Sequence, residues 1–156
     1  MSESGDGRRY LEDYEAGQTQ TYGAYTLSEA EILEFAGQYD PQPIHTDPEA
    51  AGESHFGGLI ASGWHTACIA MRLAVLEGYL QDPGVIAGVG IENLRWPEPV
   101  RPGDTLTVRE EILETRPTES DPSVGVLRLE IVVLNQDDEE VLTMEWIDLV
   151  ERRGAG

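Results

Sequence analysis

Residues 64–80 have the sequence WHTACIAMRLAVLEGYL, and this stretch decides the fold class. Apolar side chains occupy nearly all of it, and Arg72 and Glu77 are its only formally charged residues. A helix that is apolar all round is buried in the interior of a protein. The stretch is too short and too interrupted to span a bilayer. We therefore predict a long buried central helix around which the rest of the domain is built.

Most of the remaining chain is predicted to form β-strands. The strands are rich in β-branched and aromatic residues and are separated by turn signals. They cover Thr19–Tyr25, Val85–Leu94, Leu106–Leu113, Val124–Leu134 and Val141–Val150. One buried helix together with a long antiparallel sheet predicts an α+β domain in which the sheet wraps around the helix.

Two shorter helices are predicted before the central one. Ser28 and Glu31 form a capping box at the start of the first. That helix must end near Asp40, because Pro41 restricts the backbone of the residue before it. We expect a proline-stiffened loop next, and then a short helix with Asp47 as its N-cap.

Length and composition indicate one acidic domain. The chain has 156 residues, with 30 acidic residues against 10 arginines and no lysine, for a formal charge of -20. Such a surface repels nucleic acid and anionic membranes, so we expect neither as a partner. We predict a domain over residues 10–151 with disordered ends at 1–9 and 152–156. The polar N-terminus predicts a cytoplasmic protein without a signal peptide. Cys68, the single cysteine, is predicted to be buried.

Two short runs carry the chemistry. DPQPIHTD at residues 40–47 places a carboxylate, Asp40, and an imidazole, His45, five residues apart. FGGLIASG at residues 56–63 is a glycine-rich turn that leads into the central helix. The carboxylate and the imidazole can hold and deprotonate a water molecule, and the N–H of Gly63 can hold a developing oxyanion. The residues alone leave another interpretation open, in which Asp40 is a turn residue, His45 a loop histidine and Gly63 a helix-capping glycine.

These runs resemble the MaoC-like acyl dehydratases, which include the R-specific enoyl-CoA hydratases of the hotdog fold. The resemblance rests on YDxxPxHxD at residues 39–47, on FGG at 56–58 and IASG at 60–63, and on RWxxPVRPGD at 95–104. It implies a hotdog fold and reversible, syn hydration of a 2-enoyl-CoA. It also implies that Asp40 and His45 handle the water and that Gly63 holds the thioester oxyanion. The chain departs from the family pattern at Ser62, because many members carry a histidine directly before the glycine that corresponds to Gly63.

Further expectations concern the substrate and the assembly. We expect the substrate to contact Gly58, Ser62, Trp64 and Trp96, although core packing is an equal alternative for the two tryptophans. No metal and no cofactor are expected, since CoA arrives as part of the substrate. A single hotdog domain leaves sheet edges and one helix flank exposed, so we expect a homodimer or a higher oligomer built from dimers.

Three other functions remain open on the sequence. A hotdog thioesterase would direct water at the carbonyl carbon, and a non-catalytic module would bind acyl-CoA without turnover. The H-x-D spacing of His45 and Asp47 is also found in mononuclear iron sites. An iron oxygenase is disfavoured, because no histidine follows His65 in the chain. We predict that Asp47 is a helix cap and that His55 and His65 are surface or packed side chains.

Overall fold

The computed structural model describes residues 7–154. Its strands are β1 (Thr19–Thr26), β2 (Val85–Arg95), β3 (Thr105–Pro117), β4 (Val124–Leu134) and β5 (Glu140–Glu151). Its α-helices are α1 (Glu29–Tyr39), α2 (Pro43–Thr46), α3 (Pro48–Gly52) and α4 (Gly63–Glu77). Short 3-10 helices cover Leu11–Asp13 and Tyr79–Gln81.

The five strands form one antiparallel sheet in the order β1-β3-β4-β5-β2. Alternate side chains of β4 point to the same face, and those at Leu127, Leu129 and Ile131 are fully buried. They join a core cluster to which α4 contributes Ile69 and Leu73. The sheet therefore packs against α4 through one face. The predicted α+β hotdog architecture is confirmed.

A glycine allows β1 to approach the central helix. Gly23 has a φ of 91°, and a Cβ atom there would lie 2.8 Å from a methyl carbon of Leu73. The register of β1 against β3 shifts between Tyr22 and Tyr25, around this glycine. A residue without a side chain tolerates both the positive φ and the close contact.

The prediction that α4 is buried all round is wrong. Its outer flank exposes Trp64, Cys68, Met71, Val75 and Leu76. Cys68 is therefore exposed and not buried as predicted. The reason is geometric, because a single five-stranded sheet covers one side of a helix and nothing within residues 7–154 covers the other. Edge strand β2 is exposed in the same way at Ile86, Val89 and Ile91.

The segments before α4 follow the predicted capping. The Ser28 hydroxyl accepts a hydrogen bond from the backbone N–H of Glu31, and α1 ends at Tyr39. Asp47 accepts hydrogen bonds from the first backbone N–H groups of α3, as predicted. The expected loop between them is in fact one helical turn, α2. A proline at its first position has a φ suited to a helix and loses no hydrogen bond there, which explains the turn.

The predicted disordered ends are only partly described, because residues 1–6 and 155–156 lie outside the described part. Within it, the Arg8 guanidinium lies 2.6 Å from the carboxylate of Glu151. The Arg153 guanidinium lies 2.5 Å from the carboxylate of Asp13. These ion pairs connect residues near the two ends of the chain to the folded domain. No helix within residues 7–154 has the length and hydrophobicity needed to cross a membrane.

Candidate active site

His45 is fixed by its packing beneath the glycine-rich segment. It lies on α2 and is 5% exposed. Its Nδ1 lies 2.8 Å from the backbone oxygen of Ile60. A carbonyl oxygen only accepts hydrogen bonds, so Nδ1 carries the proton and Nε2 of the neutral ring is an acceptor. This Nε2 lies 3.4 Å from Oδ2 of Asp40.

Asp40 caps the end of α1 and is held by two donors. The side-chain amide of Gln42 donates to Oδ1 at 2.8 Å, and the Ser62 hydroxyl donates to Oδ2 at 2.7 Å. Burial opposes ionisation of Asp40, but these hydrogen bonds and the nearby His45 outweigh it and hold its pKa below the ordinary value. Asp40 is therefore a carboxylate at neutral pH.

Two hydrogen-bond acceptors thus face each other at the site. When the His45 ring is neutral, its Nε2 and the ionised Asp40 are both acceptors and have no proton to share directly. A water molecule between them would donate one hydrogen to each. The pair can therefore orient a water and withdraw a proton from it, which is the requirement for general base catalysis.

The start of α4 provides a donor for an anion. Ser62 is the N-cap, and its hydroxyl accepts from the backbone N–H of Trp64 at 3.3 Å. Gly63 is the first residue of the helix. Its N–H has no intrahelical acceptor, and the helix dipole favours negative charge in front of it.

A cavity of about 210 Å³ opens in front of these groups. His45 and Gly63 line it, together with a solvent-facing rim formed by Phe56, Trp96, Pro97 and Glu98. Its deeper wall consists of the buried residues Ile60, Ala61, Thr66, Val100 and Val141. An imidazole and a helix N-terminus therefore face the same largely apolar cavity.

Trp96 covers the side of Gly63. A Cβ atom at Gly63 would lie 2.2 Å from a ring carbon of Trp96. The Trp96 ring also contacts Trp64 edge to face, with 5.5 Å between the ring centres. Glycine at this position thus makes room for the indole. Neither the oxyanion-holding role nor the capping role expected for Gly63 from the sequence anticipates this contact.

The predicted site residues divide into three groups. His45, Gly63 and Trp96 line the cavity. Asp40 and Ser62 lie behind His45 and are joined by a hydrogen bond. Gly58 and Trp64 are not among the residues that line the cavity. Gly58 lies beside the guanidinium of Arg101, and Trp64 belongs to the exposed flank of α4.

Other side chains take the structural positions predicted for them. Asp47 caps α3 and makes no hydrogen bond to His45. His55 is exposed. His65 is buried and stacks on Phe35 with 4.4 Å between the ring centres. Burial lowers the pKa of His65, so it is neutral at pH 7. Within residues 7–154, no group of three or more His, Cys, Asp or Glu side chains could hold a metal ion.

Two polar residues at the site were missed by sequence reasoning. Gln42 donates a hydrogen bond to Asp40. Its position between Pro41 and Pro43, within the motif, could have indicated a role at the site. Thr66 is 1% exposed and lines the deep wall of the cavity. Its spacing of three residues from Gly63 places both on the same face of α4, which the sequence could have indicated.

The chain is similar to proteins with this architecture. A family model described as the MaoC like domain matches residues 13–133. The crystal structure of a MaoC-like dehydratase from Rhodospirillum rubrum is 43% identical, with a TM-score of 0.86 over 93% of this chain and 98% of the other. The unliganded R-hydratase PhaJ1 from Pseudomonas aeruginosa is 27% identical, with a TM-score of 0.72 over 92% of this chain and 86% of the other.

The chain is also similar in sequence to a dehydratase. A 3-hydroxybutyryl-CoA dehydratase from Methylorubrum extorquens is 35% identical over 109 residues, which cover 69% of this chain and 66% of that protein. The family model spans β1 to β3, all four α-helices and all but the last residue of β4. The chain therefore belongs to the family of MaoC-like domains.

Proposed function

We propose that the protein is an enoyl-CoA hydratase/3-hydroxyacyl-CoA dehydratase that adds water reversibly to a 2-enoyl thioester. The observation that carries the proposal is that His45 and Gly63 face one cavity while Asp40 lies directly behind His45. Asp40 and His45 supply paired acceptors 3.4 Å apart, and Gly63 supplies a backbone donor at the start of α4. The similarity to a MaoC-like dehydratase and to an R-hydratase supports the same reaction class.

In the proposed mechanism, the enoyl thioester enters with its carbonyl oxygen at the N–H of Gly63. Water held by Asp40 and His45 attacks C3 and loses a proton to this pair. Negative charge then develops on the thioester oxygen, where the Gly63 N–H and the helix dipole stabilise it. A proton returns from the pair to C2 and completes the 3-hydroxyacyl thioester.

The stereochemistry follows from the use of one water on one face of the double bond. If the same pair delivers the hydroxyl group and the proton, the addition is syn. The resemblance to the R-specific hydratases leads us to propose the R product. The mechanism requires no metal or redox cofactor, because the enolate charge is held by backbone and helix dipoles.

Hydration of crotonyl-CoA, followed as loss of the enoyl absorbance, tests the proposal. We expect Asp40→Asn to reduce kcat by about 100-fold or more, since general base catalysis contributes factors of this size. Asp47→Asn is the matched control, because it makes the same chemical change and Asn caps a helix as well as Asp. Equal activity in wild type and Asp40→Asn would contradict the assigned role of Asp40.

The same assay separates the alternatives. A thioesterase would release free CoA from crotonyl-CoA or from a saturated acyl-CoA, which a thiol reagent detects. A non-catalytic module would bind crotonyl-CoA without consuming it. The proposal fails if free CoA appears at the rate at which the enoyl absorbance disappears, or if no enoyl-CoA of a panel covering different chain lengths is hydrated.

We also propose that the active form is a homodimer. The outer flank of α4 and the edge strand β2 both expose apolar side chains. β2 is an edge strand with unpaired backbone groups on its outer side. Pairing two copies through such a strand satisfies these groups and buries the apolar side chains.

A further inference from the structure

The overall charge of the protein poses a problem for the substrate that we propose. A CoA thioester carries several negative charges on its phosphates, and the protein carries a formal charge of -20. Like charges repel over distances comparable to the Debye length. Binding therefore requires a local cation near the cavity mouth. This inference rests on the proposed function, since it concerns how the same site holds its substrate.

Arg101 is a cation beside that mouth. Its Nη2 donates to the backbone oxygen of Phe56 at 2.8 Å, and Phe56 lines the cavity rim. Its Nη1 lies 3.4 Å from the position that a Cβ of Gly58 would take. Arg101 also directly follows Val100, which lines the deep wall. The guanidinium is thus held against the rim by the glycine-rich turn at residues 56–58.

This guanidinium has no carboxylate partner within residues 7–154. The ion pairs found there engage Arg8, Arg116, Arg128, Arg152 and Arg153. Arg9, Arg72, Arg95 and Arg109 likewise appear in none of these ion pairs, so it is the position of Arg101 at the cavity rim that distinguishes it. Arg101 is exposed, and the hydrogen bond to Phe56 uses one of its five N–H donors. The other donors are available to a ligand.

We propose that Arg101 binds a phosphate group of the CoA or phosphopantetheine portion of the substrate. A guanidinium fits a phosphate oxygen pair through two parallel hydrogen bonds, and the charge strengthens both. Glu98, on the same rim, is negatively charged and repels a phosphate. The phosphate is therefore expected to lie on the Arg101 side of the cavity mouth. Coenzyme A and the prosthetic group of an acyl carrier protein both carry a phosphate on the 4′ oxygen of pantetheine. CoA carries further phosphates on its nucleotide.

The test compares three substrates with the same crotonyl group: crotonyl-CoA, crotonyl-4′-phosphopantetheine and crotonyl-pantetheine. In Arg101→Gln we expect the ratio of the KM for crotonyl-CoA to the KM for crotonyl-pantetheine to rise about tenfold, the size expected for a charge-assisted hydrogen bond. Arg109→Gln is the matched control, since Arg109 is exposed on the opposite face of β3 from the core. We expect it to leave the ratio as in wild type.

The phosphopantetheine substrate identifies the source of the phosphate. If its KM rises with that of crotonyl-CoA, the contact is to the 4′-phosphate that CoA and an acyl carrier protein share. If only crotonyl-CoA is affected, the contact is to a phosphate that CoA alone carries. An equal rise in KM for all three substrates would overturn the inference, because Arg101 would then act only by holding the Phe56–Gly58 turn.

Direct binding keeps this test separate from the reaction. Calorimetric titration with CoA and with pantetheine requires no turnover. Weaker binding of CoA to Arg101→Gln, with pantetheine binding unaltered, would support the phosphate contact even if no enoyl thioester were hydrated. Absence of hydration in wild type would then count against the proposed function alone, and equal CoA affinity in wild type and Arg101→Gln would count against the inference alone.

Discussion

The hydroxyl of Ser62 donates a 2.7 Å hydrogen bond to Oδ2 of Asp40, the same oxygen that lies 3.4 Å from Nε2 of His45. Ser62 thereby links the cap of α4 to the carboxylate at the end of α1. The same hydroxyl accepts from the N–H of Trp64, so its own proton is directed toward Asp40. Ser62, expected from the sequence to contact the substrate, is thus a positioning residue for the proposed base.

Ser62→Ala should weaken the site through Asp40. Loss of a hydrogen bond to the ionised form raises the pKa of Asp40, so the acid limb of the kcat/KM profile should move to higher pH. We expect kcat to fall about tenfold at pH 7, as an aligned charge-assisted hydrogen bond is removed. Ser62→Thr keeps the hydroxyl and should restore the profile. A fall in kcat with an unmoved acid limb would indicate a role in folding or capping instead.

The fold was largely predictable because local patterns and tertiary packing agree in the second half of the chain. The alternation of Leu127, Leu129 and Ile131 with polar residues places them on one face, and the structure buries all three. Capping by Ser28 and Asp47 was equally predictable, since a cap is a local interaction. The candidate site residues Asp40, His45 and Gly63 came from motif spacing, and the structure brings them together.

Other features depend on packing between distant segments and had no local signal. Cys68 lies in an apolar run that resembles a buried helix, yet no segment in the described part of the chain covers its flank. The contact of Trp96 with Gly63 joins residues 33 positions apart, which periodicity does not reveal. The turn α2 was missed because two prolines within three residues suggested an extended loop.

Gly63→Ala should displace Trp96. The added methyl group would lie within 2.2 Å of the indole, far inside van der Waals contact, so the ring or the helix start must move. We expect kcat/KM to fall about 100-fold, as misplacement of about 1 Å in a catalytic site has effects of this size. Intrinsic tryptophan fluorescence should change with it.

A second substitution identifies the cause of that loss. In Trp96→Ala the space beside Gly63 is open, so adding Gly63→Ala should cost much less than it does in wild type. Measurement of kcat/KM for the two single variants and the double variant forms a double-mutant cycle. Strict additivity of the two effects would show that the glycine is needed for a reason other than the indole.

Val89→Lys should dissociate the proposed homodimer. Val89 is 58% exposed in the centre of edge strand β2, beside Ile91. Burying a lysine ammonium in an apolar interface without a partner is unfavourable, and lysine on an edge strand opposes strand pairing. Size-exclusion chromatography with light scattering should show a monomer. Thr21→Lys, an exposed position on the opposite edge strand β1, is the control and should leave the assembly as in wild type.

Asp148 is a buried carboxyl group far along β5 from the candidate site. It is 3% exposed, and its Oδ2 has no hydrogen-bond partner among the described residues. Its strand neighbour is Gly88, and a Cβ there would lie 3.1 Å from Oδ1. Burial, and then the negative charge of Glu110, raise the pKa of Asp148 to about 7.

This raised pKa makes the stability of the protein depend on pH. Asp148 has an ordinary pKa of 3.8, so between about pH 4 and pH 7 the folded state holds a proton that the unfolded state has lost. The free energy of unfolding therefore falls as the pH rises through this window, by on the order of 4 kcal/mol for a shift of this size. Above pH 7 the full penalty of a buried carboxylate remains.

Asp148→Asn removes this titration while keeping the shape of the side chain. We expect the variant to gain Tm relative to wild type at pH 8 and to gain much less at pH 4.5, because the wild-type group is protonated in the folded state at the lower pH. Thermal unfolding at the two values measures the difference. Asp137→Asn makes the same chemical change at an exposed turn position. It should change Tm only slightly, and by the same amount at pH 4.5 and pH 8. If the gain for Asp148→Asn were the same at pH 4.5 and pH 8, Asp148 would not titrate in this window, and its burial would not be the cause of the pH dependence.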